Sequence, residues 1–301
     1  MANKVFTRKI MKHTKQENWF NRINIFLLGL LAFTCAYPFF YILTISLSTA
    51  TEANRNGLHL FPTDITWTSY KMVLSNPNII TSFSNSILRT LLGTSLSVLA
   101  TCFAAYPLAR KEMPHRSMLT FFILFTMLFS GGLIPSYLLI QKLGLINSIW
   151  SLILPCLITP FNVIIVKNFF KAIPESYAES AKIDGAGELT ILFRIYIPLS
   201  MPVIATVSLW TAVYHWNSWF DALLYITDQN KQMLQVLLQS IVVENNTEML
   251  AMGMKNTSDA QSTSETIKAA TIIITILPIL LVFPCLQRFF IKGVSLGGIK
   301  E

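Results

Sequence analysis

Residues 174–198 read PESYAESAKIDGAGELTILFRIYIP. This stretch decides the fold, because it is a polar island about one helix long between two apolar segments that are each long enough to cross a bilayer. Its charges, Glu175, Glu179, Lys182, Asp184, Glu188 and Arg194, cannot sit in hydrocarbon, so the chain must leave the membrane there. Gly185 and Gly187 break the helical run near its centre. Read from its residues alone, the island is either a docking surface for a soluble partner or an ordinary amphipathic helix lying on the membrane.

The flanks of the island are typical of the whole chain. Of its 301 residues 53% are hydrophobic and 13% charged, against about 25% charged in soluble domains. The mean hydropathy is +0.54. These values define an all-α, polytopic membrane protein. Six spans of about 20 residues fit in one membrane domain, here residues 23–290, between a cytoplasmic N-terminal tail, 1–22, and a cytoplasmic C-terminal tail, 291–301. The net charge of +8 comes from Lys and Arg that flank apolar segments, where they orient the chain, which argues against nucleic acid as a partner. Cys35, Cys102, Cys156 and Cys285 lie in apolar segments without metal-ligand spacing and are read as buried thiols.

Span one covers residues 23–48 and contains Pro38. The first apolar stretch is longer than a signal-peptide core, so it reads as a span. Residues 49–80 form an outer loop in which Trp67, Tyr70 and Leu74 predict a short interfacial helix. Span two, 81–109, carries one charge, Arg89, which is expected to snorkel to the headgroups. Span three, 117–139, includes Gly131, Gly132 and Pro135, which permit either a break or close helix approach. Span four, 147–166, is expected to bend at Pro155 and Pro160, span five runs from Pro198 to Phe220, and span six covers 268–286. Sixteen Lys and Arg fall in the segments on the island's side and five in those opposite, so the positive-inside rule places the island and both termini in the cytoplasm.

An ion-coupled transporter needs an ionisable group near the membrane midplane. No span has one there. His215 is the one candidate, about 26 Å from Pro198 along a helix, and beside Trp216, Trp219 and Phe220 it reads as part of an aromatic belt. The sequence has no GxxxxGK[ST] loop, no HExxH, no Cys/His ligand set and no GxSxG elbow. No catalytic or metal-ligating residue is therefore assigned, and the driving energy is expected from a partner.

The residue order within the island is more specific than its composition. Glu179-Ser180-Ala181, Asp184-Gly185-Ala186 and Ile195-Tyr196-Ile197-Pro198 resemble the EAA loop of binding-protein-dependent ABC importers, with EAA, three residues, Gly, nine residues and I-x-L-P. Ser180 replaces Ala and Ile197 replaces Leu. The whole chain resembles the MalG-like permeases of carbohydrate importers. FSGGLIPSYLLIQKLGL and WNSWFDALLY resemble the branch that imports oligosaccharides, including uronate-containing ones.

The resemblance implies a coupling helix between spans four and five that sits in a cleft of an ATPase subunit. Glu175, Glu179, Ser180, Ala181, Asp184, Gly185 and Ala186 would form the contact, and Glu179 would meet a basic residue of the ATPase. It also implies a homologous second permease subunit, an ATPase dimer that holds ATP and Mg, and an extracytoplasmic solute-binding protein. No cofactor is expected on this chain itself. The tail from Lys292 to Ile299 would reach between the ATPase subunits, as in some relatives.

Near the outer end of span five, Tyr214, Trp216, Asn217 and Trp219 supply the aromatic faces and amides that sugar passage requires, though interfacial anchoring is the favoured reading of the two Trp. Residues 221–265 form an acidic outer loop with a helix expected over 233–243; it either meets the binding protein or covers the pore mouth. The alternatives to a sugar importer are a permease for another solute and a stand-alone permease or channel.

Overall fold

The computed structural model describes residues 15–53, 55, 61–242 and 264–297, with side chains beyond Val282 described only at Pro284, and every regular element among them is helical. The expected N-terminal basic cluster before Lys15, residues 243–263 of the acidic loop, the Cys285 side chain and the end of the C-terminal tail lie outside the described residues. The chain divides into two compact units, Met1–Ser69 with Ala260–Ala270, and Tyr70–Asp259 with Thr271–Glu301.

In the first unit, α1 (Lys15–Leu47) runs through Pro38. Its most apolar 18-residue window has no buried residue, so it presents an apolar surface on all sides, as a membrane-facing helix does. Cys35 lies on this exposed helix and is not a buried thiol. After α2 (Ala50–Ala53), the Glu52 carboxylate accepts hydrogen bonds from the backbone N–H and hydroxyl of Thr63. The Thr66 N–H then donates to Leu47 O at 2.8 Å. The short helix predicted around Trp67, Tyr70 and Leu74 forms as α3 (Thr68–Ser75).

The second unit is organised by α4 (Pro77–Ala109). Asn76 caps its start by accepting from the Asn78 N–H, and Pro77 occupies the first turn, where no N–H is needed. The chain continues through α5 (Arg116–Leu128), α6 (Leu133–Lys142), α7 (Trp150–Ile153), which tightens into a 3-10 turn over Leu154–Cys156, and α8 (Pro160–Ala172). The island forms α9 (Ser176–Ile183), α10 (Glu188–Ile191), a π-helical turn over Leu192–Tyr196, and α11 (Ile197–Leu199). Beyond it lie α12 (Met201–Asn217), α13 (Phe220–Tyr225), α14 (Leu234–Val242) and α15 (Ser264–Gly297).

Among the described residues, three helices are long and apolar enough to cross a membrane on their own: residues 16–47, 77–109 and 264–282. Three bent pairs pass the same test together, so the total rises to six when each pair counts as one span. The bends explain where the expected boundaries fail. Residues 117–139 are not one helix but α5 and α6 at 110°. Between them Gly132 has φ +88°, so of the two roles open to the glycines the structure takes the break. Span four bends by 52° ahead of Pro160, although Asn147, its expected first residue, belongs to a loop. Span five does not start at Pro198, because an 86° bend separates Glu188–Leu199 from Met201–Asn217.

Helix α4 packs chiefly on α12 and α8. Ser82, Ser86, Arg89, Gly93, Ser97 and Thr101 are all buried and recur every three or four residues, which places them on one face. Small residues on that face let a neighbouring backbone approach closely. At Gly93 the approach is complete, since a Cβ there would lie 2.5 Å from His215 Nε2. His215 is 1% exposed and therefore does not belong to an aromatic belt. Among the described residues, neither of its ring nitrogens finds a hydrogen-bond partner.

Gly93→Ala is expected to separate α4 from α12 at a cost of about 1–3 kcal/mol, the usual scale of overpacking. Thermal unfolding of the purified protein in detergent measures the loss. Adding His215→Ala should recover part of it, and an undiminished loss in the double variant contradicts the proposed clash.

Candidate functional site

The island is built to end one helix abruptly and hold it against the bundle. Composition favours helix through Ala178 to Lys182, and α9 stops at Asp184 because Gly185 takes φ +80°. The Gly185 N–H donates to Lys182 O at 3.0 Å and the Ala186 N–H to Ala181 O at 2.9 Å. This pair of bonds is a Schellman cap, which needs a residue without a Cβ at the left-handed position.

The cap fixes which face of α9 is presented. Ala178 is fully buried, and Ala181 and Ala186 pack on the same core, which includes Ala105, Tyr106, Val166, Phe170 and Tyr196. Ala178, Ala181 and Ala186 thus seat α9 on its own bundle. Glu179, Ser180, Asp184 and Gly185 face outward with Ile183, which is 87% exposed. Ile183 was not singled out in the sequence, although an isoleucine among polar neighbours on an outward face was the available signal. Glu175 is half-buried and turned aside to pair with Lys111 at 3.2 Å.

A polar network ties the island to the end of α4. The Tyr106 hydroxyl donates to Glu188, Lys182 pairs with Glu188 at 2.9 Å and with Glu112 at 3.5 Å, and Arg110 Nη1 donates to the Tyr196 hydroxyl at 3.2 Å. Tyr196 is buried edge-on between Tyr106 and Phe170, with ring centroids 5.0 and 5.5 Å away. The Tyr106 hydrogen bond, and after it the Lys182 contact, hold the Glu188 carboxyl below its ordinary range, while the Glu188 contact raises the Lys182 ammonium.

The other end of the bundle holds the second group of expected residues and divides it. Tyr214, Asn217 and Trp219 line one shallow cleft of about 370 Å³. Trp216 does not join them. It is buried, donates Nε1–H to Thr275 O at 3.1 Å and meets Phe83 edge-on, so it neither lines that cleft nor anchors an interface.

Arg89 overturns the snorkelling expectation more fully. It is 1% exposed, donates Nη1–H to Ser218 O at 2.9 Å and forms an ion pair with Asp221. Asp221 also accepts from the Ser218 hydroxyl at 2.7 Å and from the Ala222 N–H at 2.9 Å, so it is not a solvated loop acid. The pair crosses the break between α12 and α13 and anchors it to α4. Nearby, Asn147 has φ +58° and holds the 225–228 turn: its N–H donates to Tyr225 O, and its Oδ1 accepts from the N–H groups of Thr227 and Asp228 at 2.7 and 3.0 Å. Neither arrangement has a local sequence signal, beyond the rule that a lone charge in an apolar helix needs a partner.

Bent apolar helix pairs with a capped polar helix between them define an all-helical membrane protein. The family model described as binding-protein-dependent transport system inner membrane component matches residues 6–296, and the chain belongs to that family. It is 42% identical to Protein LplC of Bacillus subtilis over 96% of this chain and 98% of that protein. It is also 42% identical to the polygalacturonan/rhamnogalacturonan transport system permease protein YtcP of the same organism, over 89% of this chain and 94% of that one. Among solved structures, a chain of a bacterial ABC transporter involved in the import of the acidic polysaccharide alginate superimposes with a TM-score of 0.86 at 32% identity. The match covers 93% of this chain and 99% of that one.

Two outcomes follow from this geometry. Asp221→Ala leaves Arg89 buried and unpaired and should cost about 3–5 kcal/mol, read as a lower unfolding temperature that Arg89→Leu partly restores. Because the Glu188 pKa is lowered in the folded state, its stabilisation is complete above the ordinary carboxylate value near pH ~4.3 and is lost as pH falls through the lowered value. Unfolding midpoints between about pH 6 and 3 should therefore fall more steeply for the parent protein than for Glu188→Gln.

Proposed function

We propose that this chain is the membrane-spanning subunit of an ATP-driven importer that passes a sugar or oligosaccharide from an extracytoplasmic solute-binding protein into a bacterial cytoplasm. It forms half of the pore with a homologous second permease subunit. It has six spans, counting each bent helix pair as one, in a membrane domain over residues 23–290. The distribution of Lys and Arg favours a cytoplasmic island and cytoplasmic termini. ATP and Mg belong to a partner ATPase dimer, and this chain holds no cofactor or metal. The carbohydrate reading draws on the relatives, one a polygalacturonan/rhamnogalacturonan permease and one a transporter involved in the import of the acidic polysaccharide alginate.

The observation that carries the proposal is the capped helix α9. Glu179, Ser180, Ile183 and Asp184 face outward while Ala178 and Ala181 fasten the same helix to the bundle. Such a helix transmits a push, because it cannot shift without moving the core under it. Glu175, Gly185 and Ala186 complete the coupling surface: Glu175 braces it through Lys111, and Gly185 and Ala186 make the cap. Motion passes through α10, the π-helical turn and α11 to the bend at Ser200 and so into α12. The bundle of spans two to six would move with it from inward- to outward-facing. Tyr214, Asn217 and Trp219 are the path residues, with Trp216 as a packing residue behind them.

Gly185→Val places a branched side chain at φ +80°, where glycine alone is free of strain. The variant should remain in the membrane but lose ATPase co-purification and sugar uptake. Glu179→Lys should weaken co-purification while leaving thermal stability unchanged, since Glu179 makes no ion pair among the described residues. Retention of the ATPase and of transport by both variants overturns the coupling role.

A further inference from the structure

A cleft of about 470 Å³ lies at the N-terminal end of α4, remote from the island. Asn78 of α4, Trp219 ahead of α13, Gln229 and Gln232 of the following turn and Gln239 of α14 line it, and among the described residues no charged one does. Four carboxamides beside one indole is an unusual concentration. The side-chain amides of Asn78, Gln229 and Gln239 make no hydrogen bond among the described residues. Gln232 is held by its Nε2–H, which donates to Ile226 O at 2.8 Å, and its Oε1 is buried without a donor.

A buried acceptor without a partner is costly unless a ligand or water supplies the donor. Uncommitted amides offer donors and acceptors together, which matches a hydroxyl that both gives and takes a hydrogen bond. The half-buried indole of Trp219 adds a flat apolar face for the C–H side of a pyranose ring. A carboxylate would find no cation here.

We propose that this cleft is a saccharide subsite that takes an uncharged, hydroxyl-bearing sugar ring and disfavours a uronate. Trp219 stacks on the ring, and Gln232 with the neighbouring amides reads its hydroxyls. The subsite rests on the carbohydrate-import reading above and adds a selectivity to it. Trp219 also lines the shallow cleft of Tyr214 and Asn217, so a ring leaving the subsite next meets those side chains.

The test uses the full chain, purified with its co-purifying subunits and placed in lipid nanodiscs, and follows maltotriose and trigalacturonate by saturation-transfer difference NMR. Maltotriose ring protons should receive saturation, and trigalacturonate should receive less. Trp219→Ala and Gln232→Leu should each weaken maltotriose binding about tenfold, the scale of one lost stacking or hydrogen-bonding contact, while Trp219→Phe retains it. Three results overturn the subsite: no maltotriose signal from an assembly that carries its ATPase and transports sugar, a signal indifferent to Trp219→Ala and Gln232→Leu, or preference for trigalacturonate. The measurement needs no ATP. Failure of ATPase co-purification therefore counts against the import function, and failure of these signals counts against the subsite.

Discussion

The close approach of α12 to α4 is the constraint on which the second unit depends. It is possible only because one face of α4 carries Ser82, Ser86, Gly93, Ser97 and Thr101 and not larger apolar residues. Association of helices in lipid gains little from hydrophobic burial, since both states are apolar, so dispersion contacts at short range and internal hydrogen bonds must supply the stability. At Gly93 the His215 ring leaves no room for a Cβ. Buried polar pairs flank it along the same helices, Arg89 with Asp221 toward one end and Asn162 Nδ2 with Thr211 Oγ1, at 3.4 Å, from the α8 side.

From this seam, α4 reaches both the island and the amide-rich cleft. Its C-terminal end grips the island through Tyr106 and Arg110, and its N-terminal end lines the amide-rich cleft through Asn78. The π-helical turn and the bend at Ser200 connect the island to α12, which packs along the same helix. In the proposed coupling, a displacement of the island would enter α12 at its base, where Tyr196 is buried between Tyr106 and Phe170. A rigid joint at one end of a helix pair moves the pair as a body, so the proposed coupling would need no continuous chain of polar contacts across the membrane domain.

The class of the protein and the island's role as a loop were legible because both depend on local quantities. Apolar segment length, charge placement and the Gly185 cap each involve residues within one or two turns of each other. The EAA-like order from Glu179 to Pro198 was legible for the same reason. Helix continuity was less so: Gly131 and Gly132 left a break and close packing open, and Pro198 marked a helix start while the larger bend fell two residues later at Ser200. The facing of α9 was not legible, because Ala178, Ser180 and Ala181 are alike in size and only the bundle beneath distinguishes the buried from the exposed.

The amino-acid sequence by itself determined an all-helical membrane chain, the place where a polar helix interrupts it, and the residues that end that helix. Those follow from transfer free energies and backbone sterics, which act over a few neighbouring residues. Only the tertiary structure decided that Arg89 finds Asp221, that His215 and Trp216 are packing residues while Tyr214, Asn217 and Trp219 share a cleft, and that Gln232 and Asn78 line one pocket. These groups lie far apart in sequence, up to 154 positions for Asn78 and Gln232. Burial forces a polar group to have a partner, but helix packing chooses which partner that is.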